Sequence, residues 1–263
     1  MKTVLLLSAK EVREGLRNRW VIAATGLLAA LALTLAFLGS APTGTVGANA
    51  LDVVVISLAS LTIFIVPLIA LLISHDAIVG EIERGTMTLL LSYPVRRRQV
   101  LFGKFLGHLA ILAFATVVGY GLAAVARGSP GKAAGAGSWT AFIVMTASSV
   151  LLGAVFVAIG YLVSALVADR GTAGGVAIGI WLVFVVLYDM ALLGVLVADQ
   201  GRTVAGGVLD ALLLFNPTDA YRLLNLAGSD EIAAASGMAG TVQSAPLAPS
   251  VLVAALAAWG AAP

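Results

Sequence analysis

Eighteen consecutive residues without a charge, Val21 to Leu38, set the first limit on what this chain can become. At 1.5 Å per residue a helix of that length spans roughly 27 Å, close to the hydrocarbon core of a bilayer. The pattern recurs. Further apolar runs occupy Val53 to Ile73, Phe105 to Ala126, Trp139 to Val167 and Thr172 to about Ala198, the last interrupted by Asp189. The run from Trp139 is longer than the hydrocarbon requires, so it tilts or extends beyond it. A sixth run begins near Leu247 and is still apolar at Pro263, with Pro249 near its start and no basic residue after it, which suggests a truncated or frame-shifted end.

Lipid is the solvent that such a chain requires. With 60% hydrophobic and 11% charged residues, it cannot supply a charged surface for a soluble domain of 263 residues. A backbone in hydrocarbon must satisfy its own polar groups, and runs of this length do so as helices. The expected fold is therefore all-α, a single membrane domain over residues 1–263 with about six transmembrane helices. Gly39-Ser40-Ala41 resembles a signal-peptide cleavage site, but Glu11 and Glu14 upstream and the spans downstream argue for a retained first helix. There is no cysteine, which excludes disulfides and thiolate metal sites, and a net charge of +2 is too small for a nucleic-acid binder.

Orientation follows from the basic residues. Lys2, Lys10, Arg13, Arg17 and Arg19 precede the first span; Arg84, Arg96, Arg97, Arg98 and Lys104 lie between the second and third; Arg170 falls on the same side. The opposite side carries only Arg127, Lys132, Arg202 and Arg222. The positive-inside rule then predicts a cytoplasmic N-terminus in a bacterial inner membrane, and an even number of spans returns the C-terminus to that side.

Three polar segments are long enough to have structure. In residues 1–19, Leu5, Ala9, Val12 and Leu16 recur at helical spacing, which predicts an amphipathic helix able to lie on the membrane surface. In the inner segment, residues 76–100, acidic Asp76, Glu81 and Glu83 precede Gly85-Thr86. Pro94 disfavours helix at Tyr93, so a short helix is expected from about Thr86 to Ser92. The outer segment, residues 199–250, offers an apolar run from Val208 to Phe215, then Asn216-Pro217-Thr218-Asp219 as a helix start. Two short helices at the outer surface are expected there, followed by an irregular tail from Ser229 to Ser250.

Little chemistry is available to the chain itself. It has no phosphate loop: Gly128-Ser-Pro-Gly131-Lys132 has the wrong spacing and faces outward. No nucleophile with a base is evident, so no catalytic residue is assigned. The two histidines, His75 and His108, read as interfacial anchors rather than metal ligands, and no metal or other cofactor is expected on this chain. Asp189 is the one acid well inside a span, where an ionisable group is a functional candidate by default. Its plainer reading is a hydrogen-bonded carboxyl at a helix interface, served by Tyr188 or a neighbouring span. Tyr221 and Arg222, residue types enriched in binding hot spots, together with Asn216, Pro217 and Asp219 make the outer segment a candidate contact for a periplasmic protein.

The run Asp76-Ala-Ile-Val-Gly-Glu-Ile-Glu-Arg-Gly-Thr-Met-Thr-Leu-Leu-Leu-Ser-Tyr-Pro-Val, with Gly103-Lys104 after it, resembles the coupling segment of ABC-2 type permeases. Lys10 to Trp20 and Asn216 to Leu226 are similar to those members that serve maturation of the copper sites of nitrous oxide reductase. The resemblance implies an ABC-2 permease fold with a cytoplasmic coupling helix, paired with a second copy of itself. It implies two cytoplasmic ATPase subunits, which would bind the ATP and Mg, and a periplasmic partner protein. Gly80, Glu81, Glu83, Gly85, Thr86 and Met87 would then lie at the ATPase interface. Two other classes fit the composition: an ion-driven carrier using Asp189, and a passive scaffold for a periplasmic enzyme.

Overall fold

The computed structural model describes residues 2–17, 19–38, 50–127, 136–199, 206–227 and 247–263. The tip at Gly128 to Lys132 and most of the tail after Ser229 lie outside them. Among the described residues the regular structure is entirely helical. The order is α1 (Lys2–Arg17), α2 (Arg19–Leu38), α3 (Ala50–Ser74), α4 (Val79–Glu83), α5 (Thr86–Ser92), α6 (Arg97–Arg127) and α7 (Ala136–Leu166). Then come α8 (Arg170–Leu182), a π-helical turn (Val183–Leu187), α9 (Tyr188–Asp199), α10 (Gly206–Leu214), α11 (Pro217–Ala227) and α12 (Pro249–Ala261). Five helical stretches are long and apolar enough to cross a membrane, starting at Val21, Leu51, Arg97, Gly137 and Arg170. The sixth expected span corresponds to α12, whose 13 residues reach only about 20 Å.

Small residues decide where helices approach. Gly160 of α7 lies directly against Ser74 of α3, and Gly153 against Leu112 of α6, so any side chain at either position would collide. This is how helices associate in lipid, where close backbone packing replaces the hydrophobic drive available in water. Around these contacts Val66, Leu71, Leu112, Leu152 and Phe156 form the main core, which Leu224, Leu252 and Leu256 of α11 and α12 complete. Hydroxyls add a second kind of glue. Thr62 donates to Leu58 O and accepts from Tyr120 Oη at 2.5 Å, while Tyr221 Oη meets Ser149 Oγ at 3.1 Å, linking α3 to α6 and α7 to α11.

The amphipathic first helix does not stand apart on a surface. Cβ atoms built on Gly103 and Gly107 of α6 would fall 2.6 Å from Leu7 Cβ and 2.4 Å from Glu11 Cβ, and one built on Gly15 would strike Ile111. Partners advance by four residues on each helix, so α1 runs parallel to the first turns of α6 along a Gly-x-x-x-Gly seam. The predicted stripe points the other way: Leu5, Ala9 and Leu16 are exposed and Val12 is half-buried, and the buried residue of α1 is the acid Glu11.

Few side chains of α8 and α9 are covered. Ala173, Ala177 and Val185 are buried, whereas Met190, Leu193 and Val197 are more than 60% exposed. That apolar flank faces lipid or another chain.

Candidate functional site

The inner segment forms the two short helices α4 and α5, joined at Gly85. Its φ of 71° is left-handed, a conformation open to glycine at little steric cost. Helix α5 ends at Ser92, as Pro94 predicts. The N-terminus of α4 is held by α7: Ser164 Oγ accepts from Ile78 N at 2.9 Å and Val79 N at 3.0 Å. Its far end reaches α8, where Glu83 Oε1 accepts from Arg170 N at 2.8 Å, and Asp76, just before α4, pairs with the Arg170 guanidinium at 2.9 Å. Asp169 caps α8, and hydrogen bonds from the Thr172 hydroxyl and backbone N–H hold its carboxyl below the ordinary carboxylate range.

Beneath these helices lies a buried ionic cluster. Lys104 of α6 is 5% exposed and donates to Glu11 of α1 at 2.9 Å and to Glu81 of α4 at 3.0 Å. The other oxygen of Glu81 accepts from the Thr86 hydroxyl of α5. One turn further along α6, His108 Nδ1 meets Tyr161 Oη of α7 at 2.8 Å, and its Nε2 faces Glu11 at 3.9 Å. His75 makes a local bond, to Leu72 O at 3.0 Å, and no other among the described residues. A single lysine thus bridges α1 and α4 through α6. Displacing α4 alone would take Glu81 from its counter-ion and leave Lys104 with Glu11 alone, which disfavours independent motion.

The six residues expected at an ATPase interface divide between two surroundings. Glu83, Gly85 and the polypeptide around them are exposed. Gly80 is buried among Asp76, Arg84 and Arg170; Glu81 and Thr86 turn inward to Lys104; Met87 is half-buried in a cavity wall. The outward apolar side chains are Ile82, Leu89 and Tyr93, at 58%, 67% and 69% exposure. Sequence reasoning passed over these three. The Leu89 to Leu91 run inside a polar segment was the signal that could have found them.

On the far side, α10 and α11 meet the π turn. Tyr188 N–H reaches back five residues to Val183 O, and the carbonyl of Phe184 within that turn accepts from Asn216 Nδ2 at 3.0 Å and Thr218 Oγ1 at 3.3 Å. Asp189 is paired with Arg222 at 2.7 Å, and Arg222 also holds Asp219 at 2.7 Å. The plainer reading of Asp189 has this form, although its partner is Arg222; Tyr188 instead donates to Leu212 O at 2.6 Å. The surface assigned to the outer segment needs correcting. Asn216, Pro217, Asp219 and Tyr221 are buried inside the chain, and Arg222 is the one member of that set with appreciable exposure. Helix α11 is packed on α3, α7 and α12 instead of lying flat on the membrane. The reason is that Asn216 and Asp219 satisfy the π turn and Arg222, and Tyr221 satisfies Ser149.

Comparison with known sequences bears on this arrangement. The family described as ABC-2 family transporter protein matches residues 5–260, from α1 through α12. The chain belongs to that family. The permease is 46% identical over 263 residues to the probable ABC transporter permease protein NosY of Pseudomonas aeruginosa, covering 100% of this chain and 95% of that one. It is 44% identical over 261 residues to the protein of the same description from Stutzerimonas stutzeri, covering 98% and 94%. The permease is accordingly a multi-pass membrane subunit of an ABC transporter. Within it, the α4–α5 pair rests on its ionic base at one end of the bundle, and the Asn216–Arg222 motif locks the other end.

Proposed function

We propose that the permease couples ATP hydrolysis by separate cytoplasmic subunits to a periplasmic process, and that this process is maturation of the copper sites of nitrous oxide reductase. The observation that supports coupling most strongly is the bridge Glu11–Lys104–Glu81, which ties the inner helices to α1 and α6. An ATPase pressing on α4 and α5 would move two further helices with them. Ile82, Leu89 and Tyr93, with exposed Glu83 and Gly85, form the surface that receives it. ATP and Mg belong to that subunit. The uncovered flank of α8 and α9 accepts the second copy of the permease, and a periplasmic protein of the NosD kind binds at the opposite end. The basic residues of α1 and of the start of α6 support a cytoplasmic N-terminus.

Reading the permease as an ion-driven carrier loses its main support, because Asp189 has an intramolecular cation in Arg222. The test is co-purification of the permease with its ATPase, followed by an ATPase assay. Ile82→Ser with Leu89→Ser should release the ATPase while the permease still inserts. Glu81→Ala with Glu83→Ala should leave hydrolysis uncoupled from nitrous oxide reductase maturation. Full complex yield and normal maturation in both double variants would refute the assignment.

A further inference from the structure

A cavity of about 450 Å³ opens between α4–α5 and the first turns of α6. Its walls are apolar, from Ile82, Met87, Leu91, Val100 and Leu101, with Lys104 and Tyr161 at its buried end. Arg97 and Arg98 line it as well and are exposed, so they stand at its mouth. Among the described residues neither guanidinium has a carboxylate within 4 Å or another recorded partner, whereas Lys104 has two carboxylates. The mouth also borders the outer face of α6. Leu101 belongs to both, and Phe102 and Leu106 continue it as exposed apolar surface at 57% and 40%.

We propose that this cavity binds an anionic phospholipid from the leaflet on the α4–α5 side, its phosphate on Arg97 and Arg98 and one acyl chain along the apolar wall. Charge is the first reason. Two adjacent unpaired guanidiniums at the start of a membrane span attract phosphate, and a guanidinium fork can hold it through two hydrogen bonds. Order is the second: cation at the rim, apolar wall behind, bulk lipid beside the opening, which is the sequence phosphate, glycerol, chain. Size is the third, since the volume lies within the range of small-molecule sites. Such a lipid would fill the space under α5 and prop it against α6. The position of the inner helices would then depend on leaflet composition, whether or not an ATPase is bound.

The test uses the full chain purified in detergent, with bound lipid counted by native mass spectrometry as phosphatidylglycerol, cardiolipin or phosphatidylcholine is added. Phosphatidylglycerol and cardiolipin should bind and raise the unfolding temperature, and phosphatidylcholine should do neither. Each juxtamembrane arginine contributes about fivefold in affinity, so Arg97→Gln with Arg98→Gln should weaken anionic-lipid binding roughly 25-fold. Arg97→Lys with Arg98→Lys should retain most of it, and serves as the folded control. Leu91→Trp fills the wall while leaving both arginines, and should also lose the bound lipid. Equal binding of phosphatidylcholine to the unmodified chain would overturn the proposal, without reference to any variant. So would unchanged phosphatidylglycerol binding in the Gln pair or in Leu91→Trp. Loss of ATPase binding by the Gln pair with lipid binding intact would make the rim a protein surface and end the proposal equally.

Discussion

One methyl group added at Gly107 should uncouple α1 from the rest of the permease. The new Cβ would sit 2.4 Å from Glu11 Cβ, 3.2 Å from Glu11 Cγ and 3.3 Å from the Ser8 carbonyl oxygen. Carbon atoms pack at about 3.5–4.0 Å, so the helices must part by roughly 1.1–1.6 Å, because the obstacle is a Cβ and a carbonyl and not the end of a side chain. The Glu11–Lys104 bond, 2.9 Å now, would then stretch to about 4 Å, past the range of a hydrogen bond. Overpacking costs about 1–3 kcal/mol, and a hydrogen bond to a charged group contributes about 1.5–3 kcal/mol. Taking these as overlapping, Gly107→Ala should weaken α1 docking by about 3 kcal/mol, or on the order of 100-fold. Hydrogen exchange of the detergent-purified permease reads this directly, as faster exchange of the α1 amides. Gly121→Ala is the control on the same helix, since its Cβ meets nothing within 4 Å and it should be neutral or mildly stabilising. Exchange in α1 of Gly107→Ala within threefold of the unmodified chain would show that α1 is not held at this seam.

Three further outcomes follow from the same structure. Arg222→Met takes the shared cation from Asp189 and Asp219 and should destabilise the permease by about 1–3 kcal/mol in equilibrium unfolding, since the pair is partly exposed and Asp219 keeps its bond from Asn216; Asp189→Asn, which leaves Arg222 its second partner, should cost less than half of that. Ser164→Ala takes the acceptor from Ile78 N and Val79 N and should lower local stability by about 1–3 kcal/mol, seen as faster exchange over residues 76–84. Because the native chain has no cysteine, single cysteines at positions 45 and 235 should react with impermeant thiol reagents in intact cells, and Arg98→Cys should stay protected; labelling at 98 would invert the topology.

The spans and the helix from Thr86 to Ser92 were legible in the sequence, since an uncharged run of bilayer length and a proline at Pro94 are local constraints. The pairings were not. Glu11 reads as one more polar residue of an amphipathic helix, and its burial depends on Gly103 and Gly107, more than ninety positions away in sequence. Two apolar stripes compete on α1, and the close glycine seam wins over the leucines. Tyr221 misled for a related reason: tyrosine is common in binding surfaces, but its hydroxyl finds Ser149 inside the bundle. Asp189 could be recognised as a buried acid with a partner to find. Nothing local pointed to Arg222, which lies 33 residues further on in the outer segment.

The π turn at Val183–Leu187 changes how this span has to be read. An inserted residue rotates everything after it by about 100° relative to an unbroken α-helix. With the π turn counted, Met190, Leu193 and Val197 fall in line with exposed Ile178 and Leu182, whereas a helical wheel drawn with one phase from Arg170 to Asp199 misplaces everything after the turn by about 100°. Scanning mutagenesis of this span needs two separate wheels, one for each half. A deletion of one residue within Val183–Leu187 should convert the span into one continuous α-helix with its second half in the same orientation, leaving Asp189 facing Arg222.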